Sequence, residues 1–314
     1  MMTKKIFIDT DIGGDCDDAG ALAIANVLKN ERLIDVVGIT FTTSGRYGPA
    51  CISAINTFYG NSDIEIGATH RKNFCDENTS IFQPEIAKRF KNDFYIKESG
   101  TLYPAQEAVG FIRKKLAAEP DGSVTFLCIG QLNNVSDLLD SAPDGYSALS
   151  GAELVKRKID KFVVMGGLFA EEGEVFGSEA EYNIVTDIAS AVNFVNKCPV
   201  EIVFSDFNVG CQIKTGGELL RRGGEDNPVA LAYKLFQNGP RESWDLLALW
   251  YAALGEDDLF KISPAGRVTV DGDGKTRFEC VEHGLHFLIR LCNTVEYTCN
   301  KLEKTLVKEI SYVK

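Results

Sequence analysis

Residues 5–18 read KIFIDTDIGGDCDD, and this stretch decides the fold. Its apolar half has the pattern of a buried β-strand that ends at Asp9. Gly13 and Gly14 allow the backbone an unusual turn, and the pair Asp17 and Asp18 is typical of a helix start before the apolar run 19–28. The stretch therefore predicts a strand, a turn and a helix in succession, with five carboxylates within ten residues.

The five carboxylates belong to Asp9, Asp11, Asp15, Asp17 and Asp18. Unit charges about 4 Å apart repel by roughly 4 kcal/mol at an effective dielectric constant of 20. A hard divalent cation relieves this repulsion, and Ca²⁺ is favoured because several carboxylates on an adjustable loop suit its large, loose coordination shell. The alternative is capping without a metal, since Asp15 fits an N-cap and acidic residues are favourable in a first helical turn. Capping explains only part of the cluster.

The composition is that of an acidic globular protein. The chain has 314 residues, 45% of them hydrophobic, and a net charge of -12, which argues against nucleic acid or an anionic membrane as the partner. We expect a cytoplasmic protein, because the sequence shows neither an apolar run of about 18 residues nor a signal-peptide core. The nine cysteines are scattered without a C-x-x-C pair, which predicts reduced thiols.

The rest of the chain alternates between strand-like and helix-like patterns. Strands are predicted at 33–41, 64–67, 124–129, 162–167 and 200–204. Helices are predicted at 17–28, 49–59, 105–118, 130–139, 186–196 and within 228–254. Residues 70–103 have a weak pattern and are interpreted as a long loop, whereas 267–270 and 276–280 flank a D-G-D-G turn and predict a β-hairpin near the C-terminus.

This alternation predicts an α/β fold with a mostly parallel central sheet and helices on both faces. Right-handed crossovers place the carboxyl ends of the parallel strands at one edge, where ligands bind in such folds. We expect one domain over residues 1–314.

Five segments in order resemble the nucleoside hydrolases, the calcium-dependent N-ribohydrolases. They are Asp9-Thr10-Asp11 with Asp17-Asp18-Ala19, Gly130-Gln131-Leu132-Asn133-Asn134, Val164-Met165-Gly166-Gly167, Glu181-Tyr182-Asn183 with Asp187, and Trp244-Asp245. Each motif is weak alone, but the ordered set spans residues 4 to about 250. The resemblance implies a Rossmann-like nucleoside hydrolase fold, a small-molecule ribonucleoside substrate and a homodimer or homotetramer.

The resemblance also implies roles for individual residues. Ca²⁺ would be held by Asp11, Asp18, Asp245 and the backbone carbonyl of Asn133, with Asp15 as a competing ligand because this loop is two residues longer than the common family spacing. Ca²⁺ would lower the pKa of a bound water, and Asp11 as general base would remove its proton before attack on the anomeric carbon.

Ribose would be bound by Asp17, Glu181 and Asn183, which would support an oxocarbenium-like transition state. The alternative for Glu181 and Asn183 is a solvated helix start with Asn183 as the N-cap. A family asparagine that precedes this segment is matched only loosely, by Glu174.

The main departure from the family pattern is Trp244, which stands where the inosine- and uridine-cleaving members carry a histidine that protonates or orients the leaving base. Its indole could stack on a base or fill core space beside Trp250. The histidines of the chain are His70, His283 and His286, and the last two remain candidates for a leaving-group acid.

Two other functional hypotheses stay open at this stage. One is a ribose-binding relative without catalysis. The other is a phosphohydrolase of the haloacid-dehalogenase kind, because Asp9-Thr10-Asp11 ends a first strand as the nucleophile pair of that family does, although Gly13 does not fit its pattern.

Overall fold

The computed structural model describes residues 3–75, 81–169 and 179–308. The strands are β1 (Lys4–Thr10), β2 (Ile34–Phe41), β3 (Ile66–Ala68), β4 (Tyr95–Ile96), β5 (Thr101–Leu102), β6 (Gln106–Glu107), β7 (Val124–Ile129), β8 (Ile159–Met165), β9 (Glu201–Ser205), β10 (Lys214–Thr215), β11 (Arg241–Glu242), β12 (Phe260–Ile262), β13 (Gly266–Val270), β14 (Thr276–Cys280) and β15 (His286–Leu291). The helices are α1 (Asp17–Asn30), α2 (Gly48–Phe58), α3 (Gln83–Arg89), α4 (Ala108–Ala118), α5 (Asn133–Leu139), α6 (Gly151–Lys158), α7 (Tyr182–Val185), α8 (Ile188–Lys197), α9 (Phe207–Gly210), α10 (Gly217–Gly223), α11 (Pro228–Phe236), α12 (Trp244–Leu254) and α13 (Val295–Leu306). Within the described ranges, no helix is both long and apolar enough to cross a membrane.

One large sheet organises the molecule. Its strands follow the order β14-β13-β15-β9-β8-β7-β1-β2-β3-β6, and β12 pairs with β15. Every neighbouring pair from β6 to β15 is parallel, whereas β12, β13 and β14 pair antiparallel. Successive strands run outward from β1 through β2 and β3, and β7 then returns on the other side of β1. The β1/β7 boundary is therefore a topological switch point, where α/β sheets bind ligands.

Helices cover both faces of the sheet. The side chains of Ile6 and Ile8 face a core shared with α1, α2 and α12, whereas Phe7 between them faces a second core shared with α4, α5, α6 and α8. A strand buried on both faces is continuously apolar, which is why β1 shows no polar alternation before its end.

A row of aromatic rings packs the second core across three adjacent strands. The rings of Phe7 and Phe126 stack with centroids 4.7 Å apart, and Phe126 lies 5.2 Å from Phe162. Phe162 then meets Phe194 of α8 edge to face at 4.9 Å. These contacts hold β1, β7 and β8 in register beneath the sheet edge where the acidic loop begins.

The predicted fold class is confirmed, and the differences lie in peripheral elements. Residues 70–103, interpreted as a loop, contain α3 and the β4/β5 pair, because Phe82, Ile86 and Ala87 are buried. The helix expected from 105 begins at Ala108, since β6 precedes it and the Glu107 side chain caps it. The helical stretch 228–254 is divided by β11 into α11 and α12.

Several C-terminal elements and α6 were not predicted. The capping box of Ser150 and Glu153 was the available signal for α6, since a serine followed three residues later by glutamate is typical of a helix start. The hairpin of β13 and β14 is confirmed, and the additional strand β15 joins it to the parallel sheet.

We predict that Phe126→Ala lowers the free energy of unfolding by about 3–5 kcal/mol, because it removes a fully buried ring from the aromatic row. Urea unfolding followed by circular dichroism measures the change. Phe126→Leu is the matched control and should lose less, since it keeps most of the apolar volume. Equal stability of Phe126→Ala and the wild type would contradict the role given to this row.

Candidate active site

The acidic loop leaves the end of β1 through a turn that requires glycine. Gly13 has a φ of 127°, and a Cβ atom there would lie 2.2 Å from the Gln83 amide nitrogen. That amide donates a hydrogen bond to the carbonyl of Ile12. Helix α3 therefore supports the turn that carries Asp11 and Asp15 toward the sheet edge.

Three carboxylates converge where two helices begin. Asp17 and Asp18 open α1, and Asp245 lies in the first turn of α12. All three are buried, and each offers a carboxylate oxygen within 4.8 Å of the other two. Asp17 accepts a hydrogen bond from the Asp245 backbone N–H at 3.1 Å, and Asp18 accepts one from the Thr10 hydroxyl. Residues 228 positions apart in sequence thus form one cluster.

The electrostatics of this cluster disfavour three free anions. Burial, followed by repulsion from neighbouring carboxylates, raises the pKa of Asp17, Asp18 and Asp245 well above the usual range. Burial also raises the pKa of Asp11 to about 6 and that of Asp9 to about 7. Buried carboxylates with raised pKa values are expected to bind a cation or to share protons.

Asp11 is held by a polar network that the sequence motifs did not indicate. The Gln131 side chain donates to Asp11 Oδ2 at 2.7 Å and accepts from the Thr42 hydroxyl at 2.8 Å. Because the amide oxygen is engaged by a donor, the amide nitrogen is fixed toward the carboxylate. This bond opposes the rise in the pKa of Asp11 that burial causes.

Asn133 starts α5 at the same edge of the sheet. Its buried side chain donates to the Thr42 carbonyl at 2.9 Å and to the Thr69 hydroxyl at 3.2 Å. The neighbouring Asn134 donates to Asp9 at 2.9 Å. These bonds fix the backbone at the start of α5. This backbone includes the Asn133 carbonyl that is expected to bind Ca²⁺.

Asp15 has another partner. Its carboxylate forms a forked ion pair with Arg241, whose Nε lies 2.8 Å from Oδ2 and whose Nη2 contacts the same oxygen. Asp15 lies outside the cluster of Asp17, Asp18 and Asp245. The ion pair ties the acidic loop to β11, directly before α12.

Glu181 and Asn183 lie at the start of α7, and both bond to the backbone at the end of β8 or just after it. Glu181 is the N-cap of α7, accepting from the backbone N–H of Asn183 at 2.9 Å and of Gly167 at 3.1 Å. Burial raises its pKa to about 7. Asn183 is buried and donates to the Met165 carbonyl at 3.3 Å. The alternative of a solvated helix start capped by Asn183 is therefore wrong, and Glu174 lies outside the described residues.

These groups surround one cavity of about 510 Å³. Its carboxylate wall is formed by Asp11, Asp15, Asp17, Asp18, Glu179, Glu181 and Asp245. Its aromatic wall is formed by Tyr182, Phe207, Phe236 and Trp244, with Arg241 beside them. A volume of this size is typical of a small-molecule site.

Trp244 is half-buried in the aromatic wall. Its indole stacks on Phe207 with centroids 5.3 Å apart, and its Nε1 donates to the Phe207 carbonyl at 3.0 Å. Gly210 makes this possible, because a Cβ there would lie 2.1 Å from the indole. The side chain packs against the core on one side and lines the cavity on the other. Its stacking on a base stays a prediction.

The histidines lie elsewhere. His70 and His283 are exposed, and His286 is buried in β15, where its Nδ1 accepts from the Val268 backbone N–H at 2.8 Å. Burial lowers the pKa of His286 to about 4. Among the described residues that line the cavity, none is a histidine.

Comparison with known proteins gives a consistent picture. The chain matches an inosine-uridine preferring nucleoside hydrolase family model over residues 6–285. Uncharacterized protein C1683.06c of Schizosaccharomyces pombe is 26% identical over 229 residues, which are 69% of this chain and 66% of that protein, just under two thirds of its length.

Two solved structures share the fold at low identity. An inosine-uridine preferring nucleoside hydrolase from Bacillus anthracis is 18% identical, with a TM-score of 0.70 over 98% of this chain and 100% of that chain. A purine-preferring ribonucleoside hydrolase from Gardnerella vaginalis is 17% identical, with a TM-score of 0.70 over 96% of this chain and 98% of that chain. Because the family model covers nearly the whole sequence, the chain belongs to the inosine-uridine preferring nucleoside hydrolase family.

Proposed function

We propose that this protein hydrolyses the N-glycosidic bond of a small-molecule ribonucleoside, giving ribose and a free base, with Ca²⁺ bound at the carboxylate wall. The observation that carries the proposal is the juxtaposition of buried carboxylates and an aromatic wall in one cavity at the β1/β7 switch point. Carboxylates suit a cation and sugar hydroxyls, and aromatic rings suit the flat face of a base.

The donor set fits a hard divalent cation. Asp11, Asp18, Asp245 and the backbone carbonyl of Asn133 would hold it, and all offer oxygen ligands. Asp17 belongs to the same close cluster, so its second oxygen is available to the cation or to a ribose hydroxyl. Ca²⁺ is favoured over Mg²⁺ because it accepts more ligands in a less regular geometry. When bound, the cation would orient a water and make it more acidic.

Asp11 would act as the general base. Its carboxylate lines the cavity beside the cluster of Asp17, Asp18 and Asp245, where it could accept a proton from a bound water. The hydrogen bond from Gln131 fixes the orientation of its carboxylate. Proton removal from the attacking water leaves oxygen free to bond to the anomeric carbon as the bond to the base breaks.

Asp17, Glu181 and Asn183 would bind the ribose hydroxyls. Glu181 uses both oxygens to cap α7, so its position is fixed before substrate arrives. Its Oε2 also accepts from the Gly167 N–H, whereas Oε1 accepts one bond and retains a further acceptor site for a hydroxyl. Negative charge held near the ring would favour an oxocarbenium-like transition state.

Assembly and domain organisation belong to the same proposal. We expect a single nucleoside hydrolase-like domain over residues 1–314 that forms a homodimer or homotetramer, as the family resemblance implies. Light scattering coupled to size exclusion measures the mass in solution.

We predict that the purified protein releases ribose from inosine, uridine and p-nitrophenyl riboside, and that EDTA abolishes the release because the cluster then lacks its cation. Added Ca²⁺ should restore it. The p-nitrophenyl riboside should be the best substrate, since its leaving group needs no protonation. Binding of ribose without release from any of the three would support a non-catalytic relative instead.

We predict that Asp11→Asn lowers kcat by about 10² to 10⁴, because the amide keeps a carbonyl for the metal but accepts no proton. Steady-state kinetics at saturating Ca²⁺ gives the value. The variant should keep the wild-type thermal midpoint and its rise with Ca²⁺, which separates lost chemistry from lost folding. Activity within about threefold of the wild type would remove Asp11 from the role of base.

We predict that Trp244→Ala raises KM for inosine by about 5- to 150-fold, because stacking on one base contributes about 1–3 kcal/mol. Trp244→Phe is the matched control, since it keeps a ring in the aromatic wall and should lose less. A drop in stability of about 3–5 kcal/mol with unchanged KM would instead indicate a packing role alone.

A further inference from the structure

Arg241 is the exception in the charge pattern of the cavity. Among the described residues that line it, the other acidic or basic side chains are carboxylic acids, seven in number. A guanidinium remains charged at every pH the protein experiences and only donates hydrogen bonds. The cavity therefore holds a fixed positive charge beside its aromatic wall.

The guanidinium is held rigidly from three sides. Its plane contacts two rings, with Cζ 5.0 Å from the centroid of Trp244 and 5.3 Å from that of Phe236. Nε and Nη2 bind Asp15, and Nη1 donates to Glu242 at 2.8 Å. These bonds use three of the five guanidinium N–H groups and leave one on each terminal nitrogen.

The location of Arg241 indicates which part of a substrate it meets. Ribose hydroxyls belong with the carboxylates and the cation, so the base extends toward the aromatic rings. Arg241 lies on two of those rings, Trp244 and Phe236, and lines the same cavity. A base that stacks on this wall lies next to the guanidinium edge.

The proposed reaction requires a group that stabilises negative charge on the departing base. When the bond from the anomeric carbon to the base nitrogen breaks, its electron pair goes to the base, which becomes negatively charged unless a proton arrives at once. None of the described residues that line the cavity is a histidine, and an indole is not an acid at neutral pH. A fixed hydrogen-bond donor with positive charge lowers the energy of that anion without transferring a proton.

We propose that Arg241 stabilises the negative charge that develops on the departing base, through the two N–H groups that Asp15 and Glu242 leave free. The inference rests on the proposed hydrolysis. Water supplies oxygen to the anomeric carbon, Asp11 takes the proton, the base leaves with the electron pair of the broken bond, and that proton finally neutralises the base through solvent. The products are ribose and the neutral base.

Arg241 also ties the acidic loop to β11, so a test must separate this structural role from contact with the base. Asp15→Asn weakens the tie but keeps the guanidinium. Arg241→Met removes both. The double variant Asp15→Asn with Arg241→Met removes both charges together, so no unpaired carboxylate remains to unfold the loop.

The experiment measures kcat for inosine and for p-nitrophenyl riboside in the wild type and the three variants, with thermal midpoints recorded in Ca²⁺. We expect Arg241→Met to lower kcat for inosine by about 10²- to 10³-fold, as removal of one preorganised donor does elsewhere, and to lower kcat for p-nitrophenyl riboside by less than about threefold. The double variant should show the same selectivity. Asp15→Asn should change kcat for both substrates by one common factor.

Equal losses for the two substrates in Arg241→Met and in the double variant would overturn the inference, because a loosened loop affects any leaving group alike. That result, with an active wild type, would leave the proposed hydrolysis intact. A wild type that releases ribose from neither substrate would overturn the hydrolysis and the role of Arg241 together.

Discussion

Repulsion between the buried carboxylates of Asp17, Asp18 and Asp245 is the constraint on which the site depends. The fold brings them together by packing α1 against α12 on one face of the sheet, with both helices beginning at the same edge. Each helix N-terminus carries a partial positive charge, which favours nearby anions by about 0.3–1 kcal/mol per group. That gain is small beside the repulsion of three buried charges, so the cluster requires a cation or protons to be stable.

In the proposed function, the two walls of the cavity divide the recognition of a nucleoside. Most of the carboxylate wall comes from the loop after β1 and from the starts of α1 and α12, which pack in the central core. Phe207 and Phe236 of the aromatic wall lie on the shorter helices α9 and α11, whereas Trp244 is the first residue of α12 and joins the two walls. In the proposed function, the ribose common to all ribonucleosides would meet the central elements, and the variable base would meet a wall whose outer rings lie on short helices.

The sequence predicted the central sheet and much of the acidic cluster because both depend on local patterns. Strands buried on both faces read as apolar runs, and the carboxylates follow the first of them directly. The ion pair of Asp15 with Arg241 could not be predicted, since its partners lie 226 residues apart and β11 has only two residues. Gln131 was likewise missed, because its role depends on Thr42 from the adjacent strand β2. Helix α3 was missed because its pattern is weak and packing against α2 decides its structure.

Three unusual features of this chain meet at one place. The first loop, which the family resemblance marks as longer than the common spacing, supplies Asp15, and Trp244 stands where that resemblance expects a histidine. Arg241 contacts both, through the forked ion pair and through the face of the indole. A tryptophan at that position removes an acid but provides a flat surface on which a guanidinium rests, and the longer loop provides the carboxylate that orients it. Each feature supports the position of the others. In the proposed mechanism these departures form one exchange, in which a positioned positive charge takes the place of a proton donor.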